Sequence, residues 1–153
     1  MYVTHDPSTG QTDREYEQTE DVDGILSTVT EGFATWSATD IAERARILIA
    51  IADAFDENTD ELAKAITTEM GKLPAQARGE VRLAASIYRW YGEHGPAHLQ
   101  PETLDVPGAR LNRVTTEPLG PLVGVIPWNY PYYQVARFAA PNLLLGNTVV
   151  LKH

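Results

Sequence analysis

The residues of this chain whose type and spacing best suit chemistry are a side-chain amide, a guanidinium and an ammonium near its C-terminus. Asn129 stands in Pro127-Trp128-Asn129-Tyr130-Pro131, between an apolar run and a segment of helical composition. A neutral amide held at such a junction can donate a hydrogen bond to negative charge as it develops, without first being desolvated as a cation would. On the residue alone a helix cap is the commoner role, and one Asn can fill both. Arg137 follows eight residues later; its planar fork matches a carboxylate in two parallel hydrogen bonds, whereas the ordinary alternative is a solvated helix face. Lys152 closes the run Thr148-Val149-Val150-Leu151, where its ammonium either meets a ligand or simply ends a strand in water.

Other spacings carry less. His94 and His98 are four apart, but Gly95-Pro96 is expected to break a helix between them and no third ligand is in reach, so no metal site is expected. Asp53, Asp56, Glu57, Asp60 and Glu61 read as a solvated helix end and turn rather than acid–base machinery. Arg78, Arg82 and Arg89 form a helical stripe expected to pair with Glu80 and Glu93. The chain has no cysteine, which leaves it without a disulfide, a thiolate metal site or a thiol nucleophile.

Bulk properties narrow the class. A chain of 153 residues with 43% hydrophobic content can bury the core of one ordinary domain. Its 21 acidic against 12 basic residues give a net charge of −9, which opposes a nonspecific nucleic-acid surface. Lysine is scarce (Lys64, Lys72, Lys152), a balance compatible with a salt-rich cytoplasm. The first twenty residues lack the apolar core of a secretory signal. No apolar stretch approaches the roughly 20 residues that cross a bilayer, Arg137 interrupting the longest. The expectation is a cytoplasmic protein with neither nucleic acid nor membrane as partner.

The elements that must position these side chains follow from periodicity. Asp6-Pro7-Ser8-Thr9-Gly10 is a turn within an entry hairpin or arm over 1–20. Val22, Ile25, Leu26, Val29, Phe33 and Trp36 trace an amphipathic helix. Ile41, Ala45, Leu48, Ala52 and Phe55 trace a second, with Thr39 as the expected cap and Glu43 in reach. A third is expected over 58–71 with Gly71 as its stop, and a fourth over 74–93 with Ala77, Val81, Ala84, Ala85, Tyr88 and Tyr91 inward. Residues 21–100 thus read as a helical layer. After Pro101 the pattern changes: Asp105-Val106-Pro107-Gly108 is a turn and 110–116 alternates like a strand, a candidate oligomerisation segment within 101–117. From 118 to 126 runs a short β-branched stretch of the kind buried in parallel sheets, 132–145 has the length of a crossover helix, and 148–151 is a second strand. The fold class is α/β: a helical layer, then over 118–153 the first βαβ unit of an open parallel Rossmann-like sheet, an incomplete domain on its own.

Glu117-Pro118-Leu119-Gly120, Val125-Ile126-Pro127-Trp128-Asn129-Tyr130-Pro131 and Gly146-Asn147-Thr148-Val149-Val150-Leu151-Lys152, in this order and spacing, resemble the aldehyde dehydrogenase superfamily, and Glu69-Met70-Gly71-Lys72 and 88–96 extend the likeness upstream. The resemblance implies that Asn129 donates to the oxyanion formed when a cysteine thiolate attacks an aldehyde, and that Ile126, Pro127, Trp128, Asn129, Lys152 and His153 belong to the site of a nicotinamide cofactor, NAD or NADP, with Lys152 on the adenosine ribose. The absence of a G-x-G-x-x-G run fits this family, which binds its dinucleotide without that fingerprint. His153 stands where the family most often has Pro, and resembles the form of a succinate-semialdehyde group. Arg137 stands where that group places an Arg for the substrate's distal carboxylate.

Two readings follow. In the first, the chain is the N-terminal part of an aldehyde dehydrogenase, a homo-oligomer at full length, converting succinate semialdehyde to succinate. Its nucleophilic Cys and general-base Glu then lie past residue 153, and residues 1–153 alone are inactive. In the second, the chain is a non-catalytic helical and βαβ module that docks on a partner.

Overall fold

A computed structural model describes residues 1–152. Strands β1 (Tyr2–His5) and β2 (Thr12–Tyr16) pair antiparallel as the expected hairpin, turning where Asp6 Oδ1 accepts from the Ser8 N–H. Helix α1 (Val22–Ala38) starts at Asp21, whose carboxylate takes the Gly24 N–H. Its apolar stripe is only half-covered: Val22, Ile25 and Leu26 are exposed and no α1 residue is buried. Helix α2 (Ile41–Glu57) is capped by Asp40, which accepts from the Ala42 N–H, and not by Thr39. Thr39 instead closes α1, its hydroxyl donating to the Thr35 carbonyl.

Helix α3 (Thr59–Met70) stops at Gly71, whose φ of +73° is the left-handed turn that a side chain would resist. Helix α4 opens with a proline at its first turn and runs Pro74–His98, straight through Gly95-Pro96. The expected break does not occur. Pro96 lies in the last turn, so its missing N–H removes one bond from the end of the ladder only, while α4 is held by α2, α3 and α5 packed around it. His94 and His98 both stack on the Trp90 ring, at centroid distances of 5.4 and 5.8 Å.

The segment expected to form one strand over 110–116 pairs over two residues only: β3 (Glu102–Thr103) lies antiparallel to β4 (Arg113–Val114). Strand β5 (Pro121–Val125), helix α5 (Pro131–Leu145) and strand β6 (Thr148–Lys152) make the βαβ unit, β5 and β6 pairing parallel from Pro121↔Thr148 to Val125↔Lys152. β5 was expected to be buried and is covered on one face alone. Gly124 lies under the Phe138 ring of α5, whereas Val123 and Val125 on the other face are 64% and 77% exposed.

Nine of the fourteen buried apolar residues are Ala, which lets the helices approach closely. All of the fourteen but Ala85 form two clusters, one among α2, α4 and α5 around Leu48 and Leu144, the other between α3 and α4 around Ile66 and Val81. Phe55 and Tyr132 pack against both and meet edge to face at 5.7 Å. The loop leading into α5 is therefore anchored at the seam of the two clusters.

Candidate functional site

Parallel pairing brings the C-terminal ends of β5 and β6 together, and the Ile126 N–H donates to the Lys152 carbonyl at 2.9 Å. The 126–130 loop and Lys152 therefore share the sheet end at which open α/β folds present ligands. Ile126 is half-buried; Pro127, Trp128 and Asn129 are exposed, Trp128 by 73%. Lys152 is also exposed, its ammonium 5.9 Å from the ring centroid of Tyr2, which the N-terminal hairpin delivers. An open stretch of backbone beside a cation fits the polar and anionic parts of a nicotinamide dinucleotide. The fit is chemical: hydrogen-bonding backbone at one strand end and a positive charge at its neighbour. His153 lies outside the described residues.

Tyr130 takes the N-cap position of α5 and offers no side-chain cap; nor does Asn129. The cap comes from another helix. Glu80 of α4 accepts through Oε1 from the N–H groups of Tyr132 at 3.0 Å and Tyr133 at 3.3 Å, and its Oε2 is paired with the Lys72 ammonium. Lys72 also donates to the Asn129 carbonyl at 3.3 Å and sits 3.5 Å from the centroid of the Tyr130 ring, within cation–π range. Both charged side chains are buried, Glu80 completely. The pairing of Glu80 with the arginine stripe, expected from sequence, is not formed: Arg78 binds Asp60 and Arg89 binds Asp53 and Asp56.

Sequence reasoning passed over this pair although a signal was present. Glu80 falls on the helical stripe of Ala77, Val81 and Ala84, all buried, where a carboxylate without a partner would be costly. Tyr132, beside the pair, has its phenol pKa pushed up by burial and then by the negative charges of Glu69, Glu80 and Glu61.

Arg137 lies on the exposed side of α5, one turn beyond Tyr133 and two beyond Tyr130, whose rings meet edge to face at 6.0 Å. Ala136, Ala139 and Ala140 take the buried side. Arg137 thus stands on the helix that leaves the Asn129 loop, roughly 9 Å along its axis from Pro131 at 1.5 Å per residue. Among the described residues, no group of three His, Cys, Asp or Glu could hold a metal ion, and no helix is long and apolar enough to cross a membrane.

The model of the aldehyde dehydrogenase family matches residues 2–153. A succinate-semialdehyde dehydrogenase [NADP(+)] of Deinococcus radiodurans is 46% identical over 99% of this chain and 32% of its own length. A succinate semialdehyde dehydrogenase [NAD(P)+] of Escherichia coli is 40% identical over 88% of this chain and 29% of its own. Among solved structures, the succinic semialdehyde dehydrogenase of Streptococcus pyogenes in complex with NADP+ superposes with a TM-score of 0.94 at 31% identity, over 100% of this chain and 34% of that one. The chain therefore spans about a third of the length of the relatives it matches. With the 126–130 loop and Lys152 at one sheet end and the family model matched over residues 2–153, this protein belongs to the aldehyde dehydrogenase family.

Proposed function

We propose that this chain is the N-terminal part of an enzyme that oxidises succinate semialdehyde to succinate, the aldehyde and water giving a carboxylate as NADP is reduced. The observation that carries the reading is the parallel pairing of β5 with β6, by which the loop of Asn129 and Lys152 share one sheet end, with Arg137 on the helix that leaves that loop. Asn129 donates its amide to the aldehyde oxygen as negative charge grows there. Arg137 holds the distal carboxylate by a bidentate pair, which orients the chain of the substrate toward the loop. Lys152 and the backbone of Ile126, Pro127 and Trp128 bind the dinucleotide, which accepts hydride when bound. Names of relatives in two genera favour NADP.

The nucleophile and base come from outside this cysteine-free chain. The open face of β5, with Val123 and Val125 exposed, suits coverage by helices from the rest of the enzyme. Exposed Leu104, Leu111 and Val114 around the β3–β4 hairpin suit a homo-oligomer contact over 101–117. The test is an assay of the full-length protein for reduced dinucleotide in the presence of succinate semialdehyde. Turnover is expected there and none with residues 1–153 alone; a full-length protein without turnover overturns the reading.

A further inference from the structure

We propose that Lys72 and Glu80 are positioning residues that fix the Asn129 amide in its donating geometry. This rests on the role given to Asn129 above. An amide acts on a developing oxyanion only while it is held to within a fraction of an ångström, and the loop carrying it is exposed over Pro127–Tyr130. Its own sequence supplies little restraint: the N-cap position of α5 is a tyrosine with no capping hydrogen bond.

The restraint comes from 50 residues upstream. Glu80 seizes the first free N–H groups of α5 at Tyr132 and Tyr133, and Lys72 seizes the Asn129 carbonyl and the Tyr130 ring. Four groups of the loop and first turn, on Asn129, Tyr130, Tyr132 and Tyr133, are thus tied to one rigid body, α4 and the turn before it. A local Ser or Asp at position 130 would cap α5 without burying any charge. A buried ion pair is an expensive cap, since the pair loses the hydration of both ions and is often matched in stability by apolar residues. What the pair supplies that a local cap cannot is a link between the Asn129 backbone and the core, with Lys72 reading the carbonyl of the residue that carries the amide. Both side chains are buried, Glu80 completely, so neither is assigned an acid or base role.

The test is a double-mutant cycle in the full-length protein: wild type, Lys72→Met/Glu80→Gln, Asn129→Ala, and the three substitutions together. The paired substitution leaves no unpaired buried charge and keeps an oxygen for the Tyr132 and Tyr133 N–H groups, so it is the variant that folds. Against wild type it should lower kcat by about tenfold or more, below the ~100- to 1000-fold cost of losing an oxyanion donor outright, with KM changed less than about threefold. On the Asn129→Ala background it should change kcat by less than about twofold, because there is no amide left to position. An equal loss in both backgrounds overturns the proposal, as a general structural defect would produce it. Hydrogen exchange in the same proteins reads the loop without any turnover. The amides of Tyr130, Tyr132 and Tyr133 should exchange faster in the paired variant while the rest of α4 and α5 is unchanged; no change, or acceleration throughout, overturns it. A wild-type protein that is inactive but shows the localised exchange change would overturn the function reading and leave the restraint standing.

Discussion

The side chain of Asn147 is fully buried and its Oδ1 accepts from the N–H of Leu119 at 2.7 Å, and from that of Gly120 at 3.0 Å, so the residue opening β6 also holds the approach to β5. Its amide group donates to Asn142 of α5, and Gly146, at a φ of +104°, turns the chain so that Asn147 can enter. One side chain thus sets the register from which Val125 and Lys152 become neighbours. Asn147→Ala orphans the buried donor of Gly120 and the part-buried one of Leu119 and should cost about 2–4 kcal/mol, at about 1–3 for the first and about 1 for the second. A urea titration checks this; a loss under about 0.5 kcal/mol, within the range of ordinary surface changes, would refute it.

Arg44 presents a comparable dependence between helices. Its guanidinium is buried and donates to the Leu144 carbonyl at 2.9 Å, at the end of α5, and to the Ser37 carbonyl at 3.2 Å, at the end of α1. A cation at two helix C-termini meets both their unpaired carbonyls and their dipoles. Arg44→Met keeps the aliphatic stem and should cost about 2–4 kcal/mol, and Arg44→Lys should recover only part because a point charge cannot fork to separate acceptors. Equal melting temperatures for Lys and Arg at this position would show that charge alone suffices.

The helices were legible because their apolar residues recur at helical spacing over long segments: Leu48 and Ala52, or Val81, Ala84 and Tyr88, are the buried faces that periodicity marks. Legibility failed where a local signal met a tertiary competitor. Gly95-Pro96 reads as a break, yet the buried Gly95 packs on Leu144 and the helix continues. Thr39 and Asp40 are both good caps by type, and only the backbone decides that Asp40 starts α2. The motif residues of the site were visible through their family resemblance, but the Lys72–Glu80 pair beneath them was not. Eight residues separate the two, and 49 separate Glu80 from Asn129, so no local periodicity could join them.

Tyrosine ionisation should report the seam beneath the loop. Burial pushes the phenol pKa of Tyr88 up, and burial together with nearby carboxylates pushes that of Tyr132 up, from the ordinary value near 10. A raised folded-state pKa means that the unfolded chain releases its protons first. The stability these two groups contribute is complete below pH about 10 and falls as pH rises through their folded values. Tyr88 and Tyr132 should therefore ionise above the ordinary range in an ultraviolet titration, and Tyr88→Phe and Tyr132→Phe should each remove one late step. A late step that neither substitution removes would contradict it.

On the proposed function, Arg137 should discriminate between substrate classes. On the exposed side of α5, one turn past Tyr133, it is free of any packing duty that its loss would disturb, since Ala136, Ala139 and Ala140 carry the buried side. If its guanidinium holds the distal carboxylate, Arg137→Leu in the full-length protein removes a charge-assisted pair worth about 1.5–3 kcal/mol, which is roughly a 10- to 150-fold rise in KM for succinate semialdehyde. An uncharged aldehyde of similar length has nothing to lose at that position, and its KM should stay within about twofold or improve as the site becomes more apolar. Arg137→Lys should fall between, because an ammonium keeps the charge and loses the second parallel hydrogen bond. The comparison is decisive because both substrates report on the same loop, cofactor and protein preparation. A common fold-increase for the charged and the uncharged aldehyde would mean that Arg137 shapes the helix surface generally and does not bind the carboxylate.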